Sequence, residues 1–152
     1  MRKLILTFLL LTVAGCGGAA RPVAAGPAPF PTPDHKAWLQ AVKPKAVALN
    51  TVAKDLLVAY DSRDIVGIQA KLKSVQDAAD ALQNAIFANS ALLPGELSSA
   101  KSNALTAYVD GQLLANDWSR ALDRADYQYL TDTEDRLRAL IRDSDQAIKE
   151  MV

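Results

Sequence analysis

Ile65-Val66-Gly67-Ile68-Gln69-Ala70-Lys71-Leu72-Lys73-Ser74-Val75-Gln76-Asp77-Ala78-Ala79-Asp80-Ala81-Leu82-Gln83-Asn84-Ala85-Ile86 decides the fold class. Its apolar residues Ile65, Ile68, Leu72, Val75, Ala79, Leu82 and Ile86 alternate spacings of three and four without a polar exception. That period places all seven on one face of an α-helix, and a face this regular is a seam against other helices. The next place in the series is Asn89, so the seam stops where Asn89-Ser90-Ala91-Leu92-Leu93-Pro94-Gly95 breaks the pattern.

The same period extends in both directions. Upstream, Trp38, Val42, Ala46, Leu49, Ala53, Leu56 and Tyr60 define a helical stretch over 33–60, with Asp34 as its N-cap. Pro44 predicts a kink or a fresh start near that residue, because proline removes a helical donor. Asp61-Ser62-Arg63-Asp64 is a short polar link, which favours an antiparallel neighbour. Downstream, Pro94 and Glu96 suit the first turn of a third helix. That helix would carry Leu97, Ala100, Ala104, Ala107, Gly111, Leu114, Trp118 and Ala121 on its seam. Mostly small residues there allow close approach to a neighbouring backbone.

An uninterrupted helix from Pro94 to Met151 would reach about 85 Å, so a turn is expected between 123 and 132. Asp126 is a candidate cap, and Thr131 followed by Glu134 fits a capping box. A fourth helix would then set Leu137, Ile141, Ile148 and Met151 on one side, after Leu130 in the same register. Glu134 and Ser144 share that register, and a shifted seam with both at the rim is expected. The fold class is all-α, an antiparallel up-down four-helix bundle over 34–152. A long three-helix bundle is the alternative if the last two helices are continuous.

The first 33 residues read differently. Met1-Arg2-Lys3 is basic, Leu4 to Ala14 is mostly apolar, and Val13-Ala14-Gly15-Cys16 closes the run. These are the parts of a secretory signal peptide over 1–15. The apolar run is too short to span a bilayer, which takes about 20 residues. Residues 17–33 hold five of the seven prolines and three of the seven glycines. They read as a disordered tether, about 50 Å long if in polyproline II geometry. Phe30 is the one large apolar side chain in it.

Val13-Ala14-Gly15-Cys16 resembles a bacterial lipobox. The resemblance implies cleavage before Cys16 and a lipid on its sulfur, hence a protein held on the extracytoplasmic face of the cell membrane through residues 16–33. The body is similar to small helical-bundle lipoproteins of actinobacteria, through Trp38-Leu39, Leu93-Pro94-Gly95 and Ala104-Leu105-Thr106-Ala107-Tyr108. That likeness implies a fold and no activity.

The chain has 17 basic and 17 acidic residues. Loss of Arg2 and Lys3 leaves 15 against 17, which argues against nucleic acid as a partner. One histidine and one cysteine leave little for a metal or cofactor, and none is expected. His35 reads as a solvated residue of the cap region. Asp132, Glu134, Asp135, Asp143, Asp145 and Glu150 read as a solvated face, with i, i+4 pairs Asp132 to Arg136, Glu134 to Arg138 and Asp145 to Lys149. No nucleophile–base set or phosphate loop is present, so a non-enzymatic role is expected. The candidate interaction surface is Trp118, Tyr127 and Tyr129 with Arg120 and Arg124. These point to an interaction module for an envelope protein or wall component, of the phage superinfection-exclusion or envelope-adaptor kind. A carrier of a small apolar ligand within the bundle is the alternative. A ligand-sized pocket in the bundle would favour the carrier, and a packed bundle with an exposed aromatic patch the module.

Overall fold

The computed structural model describes residues 34–89 and 98–151. The expectations for Cys16, the tether, Phe30 and the Leu93-Pro94-Gly95 link lie outside the described residues, as does the side chain of His35.

Among the described residues five helices follow one another: α1 His35–Asp61, α2 Ile65–Ala88, α3 Ser98–Asp123, α4 Tyr127–Asp132 and α5 Glu134–Glu150. The class is all-α. α1 packs on α2 and α5, and α3 packs on the same two, so four long helices close a ring around one core. α4 is a single short element laid against α3 and α5. Cross-helix contacts give the directions. Along α1 and α5, Lys43 meets Met151 and Asn50 meets Ser144. Along α3 and α5, Asn103 meets Glu150 and Asp117 meets Arg136. In each pair one number rises as the other falls, which is the antiparallel arrangement. The three-helix alternative fails at residues 124–126, where α3 ends.

The α2 seam lies inward from Ile68 to Ile86, and Ile65 at its start stays 37% exposed. On α1, Trp38, Val42, Ala46, Leu49, Ala53 and Leu56 are buried, and on α3, Ala100, Ala104, Ala107, Leu114, Trp118 and Ala121. Gly111 sits where a Cβ would lie 3.2 Å from Ala79 Cβ and 3.5 Å from Leu49 Cδ1. The glycine is there for close approach, since in a helix interior it costs about 1 kcal/mol against alanine.

Several local expectations need correction. α1 makes no fresh start at Pro44 and runs as one helix through it. Pro44 is on the exposed side, where water can satisfy the carbonyl that loses its helical donor. The buried face of α5 is Leu137, Leu140, Ser144, Ala147 and Met151, with Ile141 and Ile148 only partly buried. The seam therefore holds its three-four alternation by using a serine and an alanine. Ser144 is fully buried rather than at the rim, while Glu134 is half-buried at the edge. Of the three i, i+4 pairs, Glu134–Arg138 forms. Arg136 turns to Asp117 on α3 at 2.8 Å, and Asp145 to Lys54 on α1 at 3.1 Å. Interhelical partners displace the intrahelical ones.

Candidate functional site

Both connections at one end of the bundle use the same local chemistry. After α1, Arg63 takes φ 57°, its N–H donates to Tyr60 O at 2.9 Å, and Asp64 N–H donates to Ala59 O at 2.9 Å. After α3, Ala125 takes φ 56°, with Ala125 N–H to Leu122 O at 3.0 Å and Asp126 N–H to Ala121 O at 2.8 Å. Each is a Schellman ending, normally built on glycine because L side chains are strained at positive φ. Each is followed at once by an aspartate N-cap: Asp64 accepts from Gly67 N–H at 2.9 Å and Asp126 from Tyr129 N–H at 3.1 Å. Asp64 folds so tightly over Gly67 that a Cβ there would overlap its carboxylate.

The expected capping box is not used. Thr133, not Thr131, stands at the N-cap position of α5 and makes no side-chain cap bond. Its hydroxyl donates to Tyr129 O at 2.6 Å and accepts from Trp118 Nε1 at 2.9 Å. This fastens α4 to α3 and satisfies an indole that is fully buried. Tyr60 packs on the Trp118 ring with centroids 5.4 Å apart at 40°.

Between the α1–α2 turn and α4 lies an open groove of about 690 Å³. Ile65, Ile68 and Leu130 give it apolar walls. Tyr60, Tyr127, Asp61 and Arg63 also line it. Tyr127 is 49% exposed. Val58 and Val66, also exposed, flank the same turn, whereas the other exposed large apolar side chains among the described residues, Val47, Phe87, Val109 and Leu113, lie elsewhere. A smaller recess of about 210 Å³ is lined by Asp117, Arg120, Arg124, Asp126 and Tyr129. In it Asp117 holds Arg136 at 2.8 Å and Arg120 at 3.9 Å, with the Tyr129 hydroxyl 3.5 Å away.

The five candidate residues thus divide. Trp118 leaves the surface set because its ring is core. Tyr127 belongs to the larger groove, and Tyr129, Arg120 and Arg124 to the smaller recess. The groove's other half, Tyr60, Asp61, Arg63 and Ile65, was absent from the sequence-based candidates. Its signal was present in two places: an apolar series that begins at Ile65, beyond the cover of its neighbours, and an arginine in a connection that asks for glycine.

Among the described residues no group of three histidine, cysteine or acidic side chains is placed to hold a metal ion, and no helix is long and apolar enough to cross a membrane. A scan against protein-family models, a search of curated proteins and a search of solved structures each return no match.

Proposed function

We propose that this chain is a lipid-anchored protein of the cell envelope, held through Cys16 on the extracytoplasmic face, and that its bundle is a non-enzymatic interaction module. The groove between the α1–α2 turn and α4 is its contact site. The observation that carries the reading is the groove itself: an open recess of about 690 Å³ with apolar walls and the exposed Tyr127 beside it, a surface suited to contact with a protein or wall component. It lies at the end of α1, 27 residues and about 40 Å along the helix from Asp34. Superinfection exclusion and envelope adaptation are the two kinds of role that fit a tethered head of this form.

A carrier of a small apolar ligand would need space enclosed between helices. At Gly111 the helices leave no such space, since a Cβ there would already meet Ala79, Leu49 and Leu140 within 3.8 Å, and the groove is open at the surface. The interaction module is therefore the better reading.

The experiment has two arms. Incorporation of a palmitate analogue is compared between the native chain and Cys16→Ser, and a photo-cross-linker is placed at position 127 in intact cells. Label lost with Cys16→Ser and a discrete cross-linked product support the reading. An unlabelled chain with a free thiol, recovered without detergent, overturns the anchor. Absence of any cross-linked product overturns the contact site.

A further inference from the structure

Between the first turns of α1 and the end of α5 lies another open recess, of about 560 Å³. Leu39, Pro44, Val47 and Met151 give it apolar walls, and Val47 is 42% exposed. The charged side chains in its described lining are Lys36 and Lys43, both cations. In the groove at the other end of α1, Asp61 is set against Arg63, whereas here no carboxylate of the described lining answers the lysines. Neither lysine has an ion-pair partner within 4 Å among the described residues. Lys43 Nζ donates to the uncharged Met151 O at 2.8 Å. The acidic residues on the flanking segments are engaged elsewhere. Asp34 accepts from Ala37 N–H, Asp145 holds Lys54, and Glu150 accepts from Asn103 and Gln146. From His35 to Lys54 the helix itself carries no acidic residue.

We infer that this recess is where the bundle rests on the bilayer: an anionic phospholipid surface receives Leu39, Pro44 and Val47 at the boundary of headgroups and acyl chains, and lipid phosphates meet Lys36 and Lys43. The inference rests on the proposed anchor at Cys16 and assigns a face of the bundle to the membrane that the anchor supplies. Exposed apolar side chains set beside lysines are the chemistry of a surface that lies on a membrane and does not cross it. Each lysine close to an anionic surface strengthens the contact about fivefold. A head tethered through residues 17–33 meets lipid at high effective concentration, so two lysines and a small apolar face suffice where a free protein would need more. The two charges would also suit an acidic protein segment. The anchor decides for lipid, because it keeps lipid within reach of the head at all times.

The test uses the full chain, purified in nonionic detergent and returned to vesicles of phosphatidylcholine alone or of phosphatidylcholine with about 30% phosphatidylglycerol. An environment-sensitive fluorophore is placed on Val47→Cys, or on Val58→Cys as a control, since Val58 is exposed towards the far end of α1. In the anionic vesicles the label at 47 is expected to be quenched by a nitroxide-bearing lipid at least about threefold more than in phosphatidylcholine, and to lose that excess as salt rises from about 50 to about 500 mM. The label at 58 should respond alike in both. Lys36→Gln, at an exposed position, should lower the ratio of docked to undocked heads about fivefold with its melting temperature unchanged, and adding Lys43→Gln should bring the loss to about twentyfold. Equal quenching at 47 in the two vesicles, full docking in Lys36→Gln, or a label at 47 already shielded in detergent by a second copy of the chain overturns the inference. So does a photo-cross-linker at 47 that captures an acidic protein and no lipid in intact cells. Those outcomes leave the anchor standing, whereas a chain that floats with neither vesicle removes both.

Discussion

The α2–α3 seam and the α1–α5 seam belong to the same bundle, yet they are built from different materials. Where α2 meets α3, Gly111 faces Ala79, and Ala100, Ala104 and Ala107 are buried. Close packing fills the buried part of that seam, and its one side-chain tie, Gln112 Nε2 donating to Asp80 Oδ1 at 2.6 Å, lies at the exposed edge. Where α1 meets α5, Asn50 and Ser144 are buried, at 6% and 0% exposure. Asn50 Nδ2 donates to Ser144 Oγ at 2.9 Å and to Ile141 O at 3.1 Å, and Lys43 Nζ donates to Met151 O at 2.8 Å. The first seam joins helices adjacent in sequence, which the chain brings together anyway. The second closes the ring between the first and last helices. There a directional polar pair selects one register among the sliding alternatives open to small apolar faces, as single buried polar residues do in coiled coils.

The largest effect should come from filling the dry seam. A leucine at 111 must find room between Ala79, Leu49 and Leu140, whose atoms lie 3.2, 3.5 and 3.8 Å from its Cβ position. Gly111→Leu is expected to destabilise by about 3 kcal/mol or more in urea unfolding. Gly111→Ala should nearly cancel, with about 1 kcal/mol of helix propensity gained against one tight contact. A Leu variant as stable as the native chain would mean that shape does not set the α2–α3 approach.

The polar seam should break more gently and in a different way. Asn50→Ala removes two hydrogen bonds from a buried site and is expected to lose about 2 kcal/mol. Replacing both partners, Asn50→Leu with Ser144→Ala, should restore stability to within about 1 kcal/mol of the native chain, because no buried polar group is left unmatched. The double variant is expected to lose uniqueness instead, seen as broadened or doubled amide resonances on α5. Sharp single resonances would remove register selection as the role of the pair. Lys43→Met, which deletes a bond at the edge of the same seam, should lose about 1 kcal/mol or less.

This contrast also explains what could be read from the sequence. The faces of α1, α2 and α3 follow from spacing because large or small apolar residues fill every place in the series, from Trp38 to Leu56 and from Ala100 to Ala121. The α5 face does so only in part: a reading drawn to the isoleucines takes Ile141 and Ile148 in place of Leu140 and Ala147, one step around the helix, with Ser144 common to both. What makes Ser144 an interior residue is Asn50, far away in sequence, and no local pattern reports such a partner. The cap at Asp126 was legible for the same reason as Asp34: an aspartate ahead of a helical run bonds its own backbone. Thr133 was not legible, because its hydroxyl serves the indole of Trp118 on another helix. The groove was half legible. Tyr127 stands out beside the expected turn, but Tyr60, Asp61, Arg63 and Ile65 become its neighbours only when two separate connections meet at one end of the bundle.

The smallest effect concerns the third seam, between α3 and α5, and its sign is the informative part. Asp110 is half-buried, and its carboxyl is raised above the ordinary aspartate value, first by loss of hydration and then by the Asp143 carboxylate, with Arg142 and Arg136 opposing. A raised value in the folded state means that the fold binds this proton more tightly than the unfolded chain does. The ionised group therefore works against folding at neutral pH, and that penalty is relieved as pH falls through the raised folded value toward the unfolded one. Asp110→Asn should thus stabilise the bundle slightly at neutral pH, with the difference shrinking toward zero at about pH 3. Urea midpoints of the two chains across that range measure it. Most carboxylates that gain partners on folding behave in the opposite sense. If Asp110→Asn instead weakens the bundle at neutral pH, Arg142 and Arg136 outweigh burial and Asp143. The α3–α5 seam would then belong with the polar, partner-matched seam of α1 and α5 rather than with the dry seam of α2 and α3.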